Sequence, residues 1–375
     1  MKNYKIIIIG AGAAGIGFAA SLERLGIKDY IILEKGIIGD SFHKWPKTTQ
    51  FITPSFTSNG FGFPDMNAVI PDTSPAYSFE KEHLSGQEYG QYLRLVAKTY
   101  SIAVQENCQV TKINKSNGYY QLDSSQGLYQ AKYLILATGE FQNPNTTGIQ
   151  GAELAMHYGH VEHFHVTSDK PFIIIGGNES ACDALTHLAY LGNEVHLFTD
   201  CFGAKEDNPD PSISLSPITK VRLKHIQSDP KYHIHIKEGK KARKIELIKQ
   251  IYHVTFEDGS CANSHHKPIL ATGFRNCCHL IDGIDLFDYD AQQLPKVNEK
   301  DESTVQDNCF LIGPSLRQGQ TIFCYIYKFR QRFLPVIAEI AKRENWTLNP
   351  EEVAFFKANQ MYLDDLSCCQ VNCDC

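Results

Sequence analysis

The sequence predicts an α/β fold with two Rossmann-like domains, one of them inserted within the other. Three observations predict this fold. A glycine-rich turn follows a buried strand at the start of the chain, a similar unit begins at Pro171, and each unit is closed by a short apolar strand that ends in A-T-G. Two successive strand–turn–helix–strand units are typical of parallel sheets with helices on both faces.

Composition excludes several classes of protein. The chain has 375 residues, which suggests about two domains, and its 42% hydrophobic content is that of a globular protein. A net charge of -6 argues against a nucleic-acid partner, and no apolar run is long enough to cross a membrane. Most of the 12 cysteines are scattered, and no export signal is apparent, so we expect a reduced, cytoplasmic protein.

The first unit contains every part of a dinucleotide site in order. A predicted strand, Tyr4–Ile9, runs into Gly10, Gly12 and Gly15, and a helix is predicted over Ile16–Leu25. Gly10 permits the tight turn, Gly12 lets the backbone approach a pyrophosphate, and Gly15 allows close packing of helix on strand. The helix N-terminus then offers free N–H groups to the phosphates.

An acidic residue completes this first unit. A second strand, Tyr30–Leu33, ends at Glu34, whose carboxylate is placed to accept hydrogen bonds from a ribose. Ala14 and Lys35 belong to the same predicted cofactor site. The alternative, a glycine-rich turn in an unrelated α/β protein, is disfavoured because strand, turn, helix, strand and carboxylate all occur in sequence.

The second unit has a degenerate turn. A strand over Phe172–Ile175 precedes the turn, a helix over Cys182–Leu191 follows it, and Ala181 replaces the third glycine. Asparagine stands where the second glycine is expected, and asparagine tolerates positive φ better than most residues. A purely structural unit without ligand is the alternative. The predicted cofactor contacts are Gly176, Gly177, Asn178 and Ser180.

The choice of nicotinamide nucleotide stays open between NADH and NADPH. An NADPH site usually places an arginine near the end of the second strand. Here Asp200 lies in that region and Lys205 is the nearest cation, so the sequence leans towards NADH.

The A-T-G segments carry a resemblance to a known group. Leu134–Gly139 and Ile269–Phe274 each close a unit, and a late strand, Cys309–Ile312, ends at Gly313. This arrangement resembles the two-dinucleotide-binding flavoproteins, and it implies an NAD(P) domain inserted in an FAD domain. The implied domains are 1–165 with 271–375 for FAD, and 166–270 for NAD(P). Further implied cofactor contacts are Thr138, Gly139, Thr272, Gly273 and Gly313.

Two subfamilies of that group compete. Gly39–Pro46 resembles the loop that flavin-containing monooxygenases lay beside the flavin, whereas Gly176–Ala181 and Tyr325–Arg330 resemble the bacillithiol disulfide reductases. The reductases carry a cysteine in the first glycine loop, where this chain has Ala13 and Ala14. No C-x-x-C occurs in the nicotinamide unit, and the histidine motif of Baeyer–Villiger enzymes is not matched.

The leading hypothesis is a flavin-containing monooxygenase that acts on an unknown small molecule. By resemblance, Trp45 and Asn59 are its candidate catalytic residues, with Trp45 also beside the cofactor. The alternatives are that Trp45 fills the core of its loop and that Asn59 belongs to a simple turn.

A disulfide or persulfide reductase is the second hypothesis, and a non-enzymatic redox or metal-handling flavoprotein is the third. Both depend on the cysteine-rich tail, residues 364–375, which could be a redox shuttle, a soft-metal site or a reduced disordered segment. No other metal site is expected. The tail thiols are Cys368, Cys369, Cys373 and Cys375.

The last long apolar pattern lies near the end of the chain. Helical spacing over Thr321–Arg343 predicts a helix that packs beside the flavin and offers a contact for a homodimer.

Overall fold

The computed structural model describes residues 1–56, 64–205, 208, 210 and 212–366. The strands, in chain order, are β1 (Lys2–Ile9), β2 (Tyr30–Leu33), β3 (Val104–Gln105), β4 (Val110–Ser116), β5 (Tyr119–Ser124), β6 (Gly127–Leu136), β7 (Met156–His157), β8 (Phe172–Ile175), β9 (Val195–Phe198), β10 (Ile234–Lys237), β11 (Ala242–Ile248), β12 (Ile251–Phe256), β13 (Cys261–Ser264), β14 (Ile269–Leu270), β15 (Asp282–Gly283), β16 (Cys309–Leu311), β17 (Arg317–Gln318) and β18 (Thr321–Ile322).

The α-helices of the described residues are α1 (Ala13–Arg24), α2 (Asp40–His43), α3 (Pro75–Phe79), α4 (Gly86–Thr99), α5 (Glu179–Tyr190), α6 (Pro217–Ser228), α7 (Ile326–Phe329), α8 (Phe333–Glu344) and α9 (Pro350–Ala358). Several begin at a side-chain cap. Helix α4, for example, starts at a capping box in which Ser85 and Glu88 each bond the other's backbone N–H.

The first sheet has the strand order β15-β4-β5-β6-β1-β2-β3, with β16 beside β6. Strand β1 lies parallel to both β2 and β6, and its last four isoleucines are buried. Strands buried on both faces have continuous apolar sequences, which is why β1 and β2 show no alternation. Helix α1 covers this sheet and packs in turn against α8 through Phe18 and Phe333, whose rings are 6.2 Å apart.

The second sheet is entirely parallel, in the order β10-β9-β8-β14-β7. Helix α5 packs on one face of it, and α6 packs on α5. The antiparallel sheet β11–β12–β13 packs on the other face, where Phe198 and Phe256 stack 4.7 Å apart.

The strands of the two sheets occupy different parts of the chain. Strands of the first sheet lie within residues 2–136 and 282–311, whereas those of the second lie within residues 156–270. This is the order expected if one domain interrupts another. The boundary at residue 165 stays a prediction, and β7, just before it, already pairs with β14 of the second sheet.

The predicted elements differ from the structure mainly at helix starts. Strands β2 and β8 have the predicted bounds, but α1 and α5 each begin three residues earlier than predicted. The predicted single helix over Thr321–Arg343 is wrong, since this segment contains β18, α7, a 3-10 turn and α8. Its apolar face is buried within the chain, so a homodimer contact there, which stays a prediction, would use its other faces.

In the part of the chain that the structure describes, no helix is long and apolar enough to cross a bilayer. The longest of the described helices, α4, has 14 residues.

The end of α8 is attached to the first sheet by Glu344. Its carboxylate lies 2.6 Å from the ammonium groups of both Lys5 and Lys132 and accepts a hydrogen bond from the Tyr133 hydroxyl. Burial alone would raise the pKa of Glu344, but the hydrogen bonds from Lys132, Lys5 and Tyr133 outweigh it and lower this pKa to about 2.

We therefore expect Glu344 to stabilise the fold above its unfolded pKa of about 4.5 and to lose this contribution as pH falls towards 2. Glu344→Gln should reduce the free energy of unfolding at neutral pH by about 1–2 kcal/mol and flatten its decline in acid. Urea unfolding between pH 7 and pH 3 measures both effects. Equal acid dependence in the variant and the wild type would contradict this role.

Candidate active site

A cavity of about 540 Å³ lies between the first sheet and the start of α5. Its walls come from the first glycine turn, the ends of β1, β2 and β6, the segment after α2, and the N-terminal turn of α5. The predicted residues that border it are Gly10, Gly12, Ala14, Glu34, Lys35, Trp45, Thr138, Gly139 and Ser180. Predicted cofactor residues that do not border it are Gly15, Gly176, Gly177, Asn178, Thr272, Gly273 and Gly313.

The first glycine turn has the geometry that its sequence predicts. Gly10 has a φ of 106°, and a Cβ there would lie 2.5 Å from the Ala137 carbonyl oxygen. A Cβ on Gly15 would come within 1.9 Å of the Gly10 carbonyl oxygen. A Cβ on Gly12, in contrast, would meet no atom of the described residues within 4 Å. The turn is therefore tightly packed at Gly10 and Gly15, whereas there is space beside Gly12.

The start of α1 is free to hold an anion. Gly12 is its N-cap, no side chain caps it, and its first turn contains no acidic residue. The first N–H groups of such a helix carry a partial positive charge and need acceptors. Together with the open space at Gly12, this fits the pyrophosphate of FAD.

Glu34 borders the cavity with its orientation already fixed. Its two carboxylate oxygens accept hydrogen bonds from the backbone N–H groups of Ala11, at 2.7 Å, and Gly36, at 2.8 Å. Burial raises the pKa of Glu34, and the two N–H groups oppose that rise. Each oxygen keeps a second lone pair, so the carboxylate has acceptor capacity left for ribose hydroxyls.

Trp45 stands in an aromatic cluster that forms one wall. Its ring centroid lies 5.2 Å from that of Phe42 and 5.0 Å from that of Phe51, which in turn contacts Tyr89. The two interpretations of Trp45 are thus compatible, because the same ring packs in the cluster and borders the cavity. Its catalytic role stays a prediction. Asn59 lies outside the described residues.

The second glycine turn has a backbone conformation similar to that of the first, but Asn178 places a side chain at the position that corresponds to Gly12. Gly176 has a φ of 134°, and a Cβ there would lie 2.2 Å from the Ala271 carbonyl oxygen. Asn178, with φ and ψ of -109° and -161°, is extended like Gly12 at -80° and -167°, so no positive φ is needed. Its side chain lies against Gly203.

Glu179, which the sequence analysis did not select, lies at the start of α5. Its carboxylate accepts hydrogen bonds from the Ser216 backbone N–H and, at 2.6 Å, from the Thr219 hydroxyl. It thereby joins α5 to the start of α6 and borders the cavity with Thr219. An acidic residue directly after the second glycine turn was the available signal.

A second group that sequence analysis missed joins distant segments. The Tyr158 hydroxyl donates to Asp183 Oδ2 at 2.6 Å, and the Thr49 hydroxyl lies 2.6 Å from the Tyr158 oxygen and donates to the same carboxylate at 3.0 Å. Burial, followed by the nearby Asp183 charge, raises the pKa of Tyr158 well above its usual value. This Thr49–Tyr158–Asp183 network connects the loop after α2 with α5 beside the cavity.

The first A-T-G segment borders the cavity. Thr138 and Gly139 border the cavity, as does Glu140, which accepts a hydrogen bond from the Ser315 hydroxyl at 2.9 Å. Burial raises the pKa of Glu140. Gly313 has a φ of 100° and lies against Ala14. Ala14 borders the cavity, but Gly313 does not.

The second A-T-G segment is hydrogen-bonded to the segment that connects the two sheets. The Thr272 hydroxyl donates to the Asn145 carbonyl oxygen, and His157 Nε2 lies 3.0 Å from the Gly273 carbonyl oxygen. Burial lowers the pKa of His157 to about 4, so this histidine is neutral at physiological pH.

Three cysteines border the cavity, Cys108, Cys277 and Cys324, and all eight cysteines of the described part have free thiols. Burial raises the pKa of Cys277 to about 11, and it also raises that of Cys324. Both thiols are therefore protonated at neutral pH, which makes them poor nucleophiles. Cys277 and Cys278 are buried, in agreement with a packing role. The four tail cysteines lie outside the described residues.

The fold and the site define the chain as a two-dinucleotide-binding oxidoreductase. A family model described as pyridine nucleotide-disulphide oxidoreductase matches residues 7–313. The chain belongs to this family and is an FAD- and NAD(P)H-dependent oxidoreductase.

Two curated relatives match different shares of the chain. Bacilliredoxin reductase Bdr of Bacillus subtilis is 26% identical over 195 residues, 52% of this chain, and the match spans only 56% of that protein. An uncharacterized oxidoreductase of the same organism, CzcO, is 26% identical over 304 residues, 73% of this chain and 82% of that protein.

Solved structures show the same fold. Bacillithiol disulfide reductase Bdr from Staphylococcus aureus is similar with a TM-score of 0.72 at 21% identity, over 92% of this chain and 100% of that one. A flavin-containing monooxygenase from Stenotrophomonas maltophilia has a TM-score of 0.68 at 17% identity, with the same coverage. At these identities the similarity concerns the fold alone.

The open space at Gly12 leads to a prediction about cofactor binding. Gly12→Ala should fold normally, because the added Cβ contacts no atom of the described residues, but should weaken FAD binding by about tenfold or more by obstructing the pyrophosphate. Fluorescence titration of the apoprotein with FAD measures the affinity.

Gly15→Ala is the matched variant. Its added Cβ would overlap the Gly10 carbonyl, so both the urea midpoint and FAD binding should fall. If Gly12→Ala bound FAD as tightly as the wild type, the pyrophosphate would not lie at this turn.

Proposed function

We propose that the protein is an NAD(P)H-dependent flavin monooxygenase that acts on a small molecule. The observation that carries this proposal is the state of the thiols at the cavity. Among the described residues, the cysteines that border the cavity come from separate segments of the chain. Of these, Cys277 and Cys324 have raised pKa values. A dithiol acceptor would instead need a cysteine pair with a reactive thiolate beside the flavin.

The wall of the cavity supports the same proposal. FAD, when bound, supplies hydride acceptance and reaction with dioxygen. Oxygenation requires that water be kept away, and the cluster of Phe42, Trp45 and Phe51 forms an apolar wall. Glu34 and the start of α1 hold the nucleotide, and the Thr49–Tyr158–Asp183 network positions α5 at the cavity.

The alternative is a flavin-dependent disulfide or persulfide reductase. The partial sequence similarity to bacilliredoxin reductase Bdr favours it. With Ala13 and Ala14 in the first glycine turn, the thiols for this reaction would have to come from the tail cysteines, which are in sequence the densest thiol group of the chain.

Oxygen uptake distinguishes the two functions. We expect the FAD-loaded protein to consume dioxygen when given NADH or NADPH, and to do so equally after all four tail cysteines are replaced by serine. An oxygen electrode measures uptake, and an anaerobic assay with low-molecular-weight disulfides as acceptors measures reduction. Cys261→Ser, an exposed thiol on β13, is the control.

The opposite pattern would overturn the proposal. It consists of reduced protein that is stable in air, is reoxidised by a disulfide, and loses that activity when the tail cysteines are replaced.

We also propose that NADH is the preferred donor. Asp200 is exposed just after β9, where a carboxylate bonds a ribose 2′-hydroxyl and repels a 2′-phosphate. Two of the nearby lysines are paired with carboxylates: Lys205 lies 2.7 Å from Glu238, and Lys241 lies 2.9 Å from Glu257. These cations are therefore partly neutralised.

Steady-state kinetics test this preference. kcat/KM should be about tenfold or more higher with NADH than with NADPH, and Asp200→Asn should reduce that ratio by removing the repulsion. Asp258→Asn, which removes a carboxylate paired with Lys240 in the same region, should change the ratio less. A higher kcat/KM with NADPH in the wild type would contradict the proposed role of Asp200.

A further inference from the structure

A group of histidine and glutamate side chains lies on the second sheet, away from the cavity. His196 lies on β9 and His235 on β10, and the two residues are directly paired in the parallel register. Glu194 precedes His196 by two positions, so the three side chains share one face of the sheet. Their ligand atoms all lie within 4.8 Å of one another.

The three groups converge on one carboxylate oxygen. Glu194 Oε1 lies 2.7 Å from Nε2 of His196 and 3.7 Å from Nε2 of His235. The two imidazole rings are 4.8 Å apart and nearly perpendicular, at 83°. Two Nε2 atoms and a carboxylate oxygen therefore lie close together.

These spacings suit a transition-metal ion. Zinc binds histidine nitrogen and carboxylate oxygen at about 2.0–2.2 Å, so tetrahedral ligand atoms are separated by about 3.4 Å. The observed separations of 2.7 and 3.7 Å bracket that value. Small rotations of exposed side chains would close the site, since His235 and Glu194 are about half exposed.

A further histidine lies close to the group in sequence. His233 lies two positions before His235 and bonds β9 through its carbonyl oxygen, which accepts from Val195. The ammonium group of Lys237 lies over the Phe198 ring, 5.4 Å from its centroid. A water molecule would complete the four-coordination of the ion.

The position of the group separates it from the nucleotide sites. Glu194 precedes β9 and His233 precedes β10, whereas Gly176 and Asp200 follow the opposite, carboxyl ends of their strands. Strand β10 lies at the edge of its sheet and pairs only with β9. A metal ion held by one side chain from β10 and two from the β9 segment would therefore crosslink the edge strand.

We propose that Glu194, His196 and His235 form a binding site for a divalent transition-metal ion of the zinc type, which fastens the edge strand β10 to β9. The site is independent of the monooxygenase proposal, because none of its residues borders the cavity.

Zinc titration of the full-length, FAD-loaded protein tests the site. The tail cysteines should first be replaced by serine, since thiolates would compete for zinc. We expect about one zinc ion to bind by calorimetry, and we expect Glu194→Gln and His235→Ala to weaken binding by about tenfold or more. His265→Ala, an exposed histidine outside the group, should change the affinity less than about twofold.

Hydrogen exchange supplies a second measurement. Zinc should slow amide exchange in β9 and β10 of the parent protein and not in Glu194→Gln. Unchanged zinc affinity in Glu194→Gln and His235→Ala, or no zinc binding by the parent protein, would overturn the proposal. Retained FAD content shows that each variant is folded.

Discussion

The close contact between the start of α1 and the first sheet is the constraint on which the site depends. Gly10 and Gly15 allow the helix to approach β1 and the strand end at Ala137 more closely than any side chain would permit. That approach directs the uncapped helix end into the cavity and brings the Ala11 N–H to Glu34. A substitution at either glycine would therefore displace the phosphate-binding turn and the ribose-binding carboxylate together.

The two turns share a backbone but not an electrostatic character. Gly12 and Asn178 have similar dihedral angles, yet the helix after Gly12 begins with alanine and the helix after Asn178 begins with Glu179. A carboxylate in the first turn partly satisfies the positive end of a helix. The start of α1 thus keeps its full attraction for a diphosphate, whereas that of α5 is partly neutralised by the protein itself.

Sequence patterns predicted local strands and helices and missed contacts between segments that are distant in the chain. Strands β2 and β8 were predicted with their bounds because four buried apolar residues between turn signals leave little freedom. The starts of α1 and α5 were missed because Ala13 and Glu179 fit a turn as well as a helix. The Thr49–Tyr158–Asp183 network could not be predicted, since more than 100 residues separate Thr49 from its partners. Glu34 was selected because of its spacing from the glycine turn, and Trp45 because the segment Gly39–Pro46 resembles a loop of flavin-containing monooxygenases.

The hydroxyl of Tyr158 joins the loop after α2 to α5 at the wall of the cavity. Its hydrogen bonds to Thr49 and Asp183 are each 2.6 Å long and partly buried. Hydrogen bonds weaken steeply when they are stretched or bent, so a movement of α5 would leave them either made or broken. A displacement of α5 from the loop after α2 would therefore separate two discrete arrangements of the cavity wall, one with the Tyr158 hydrogen bonds made and one with them broken.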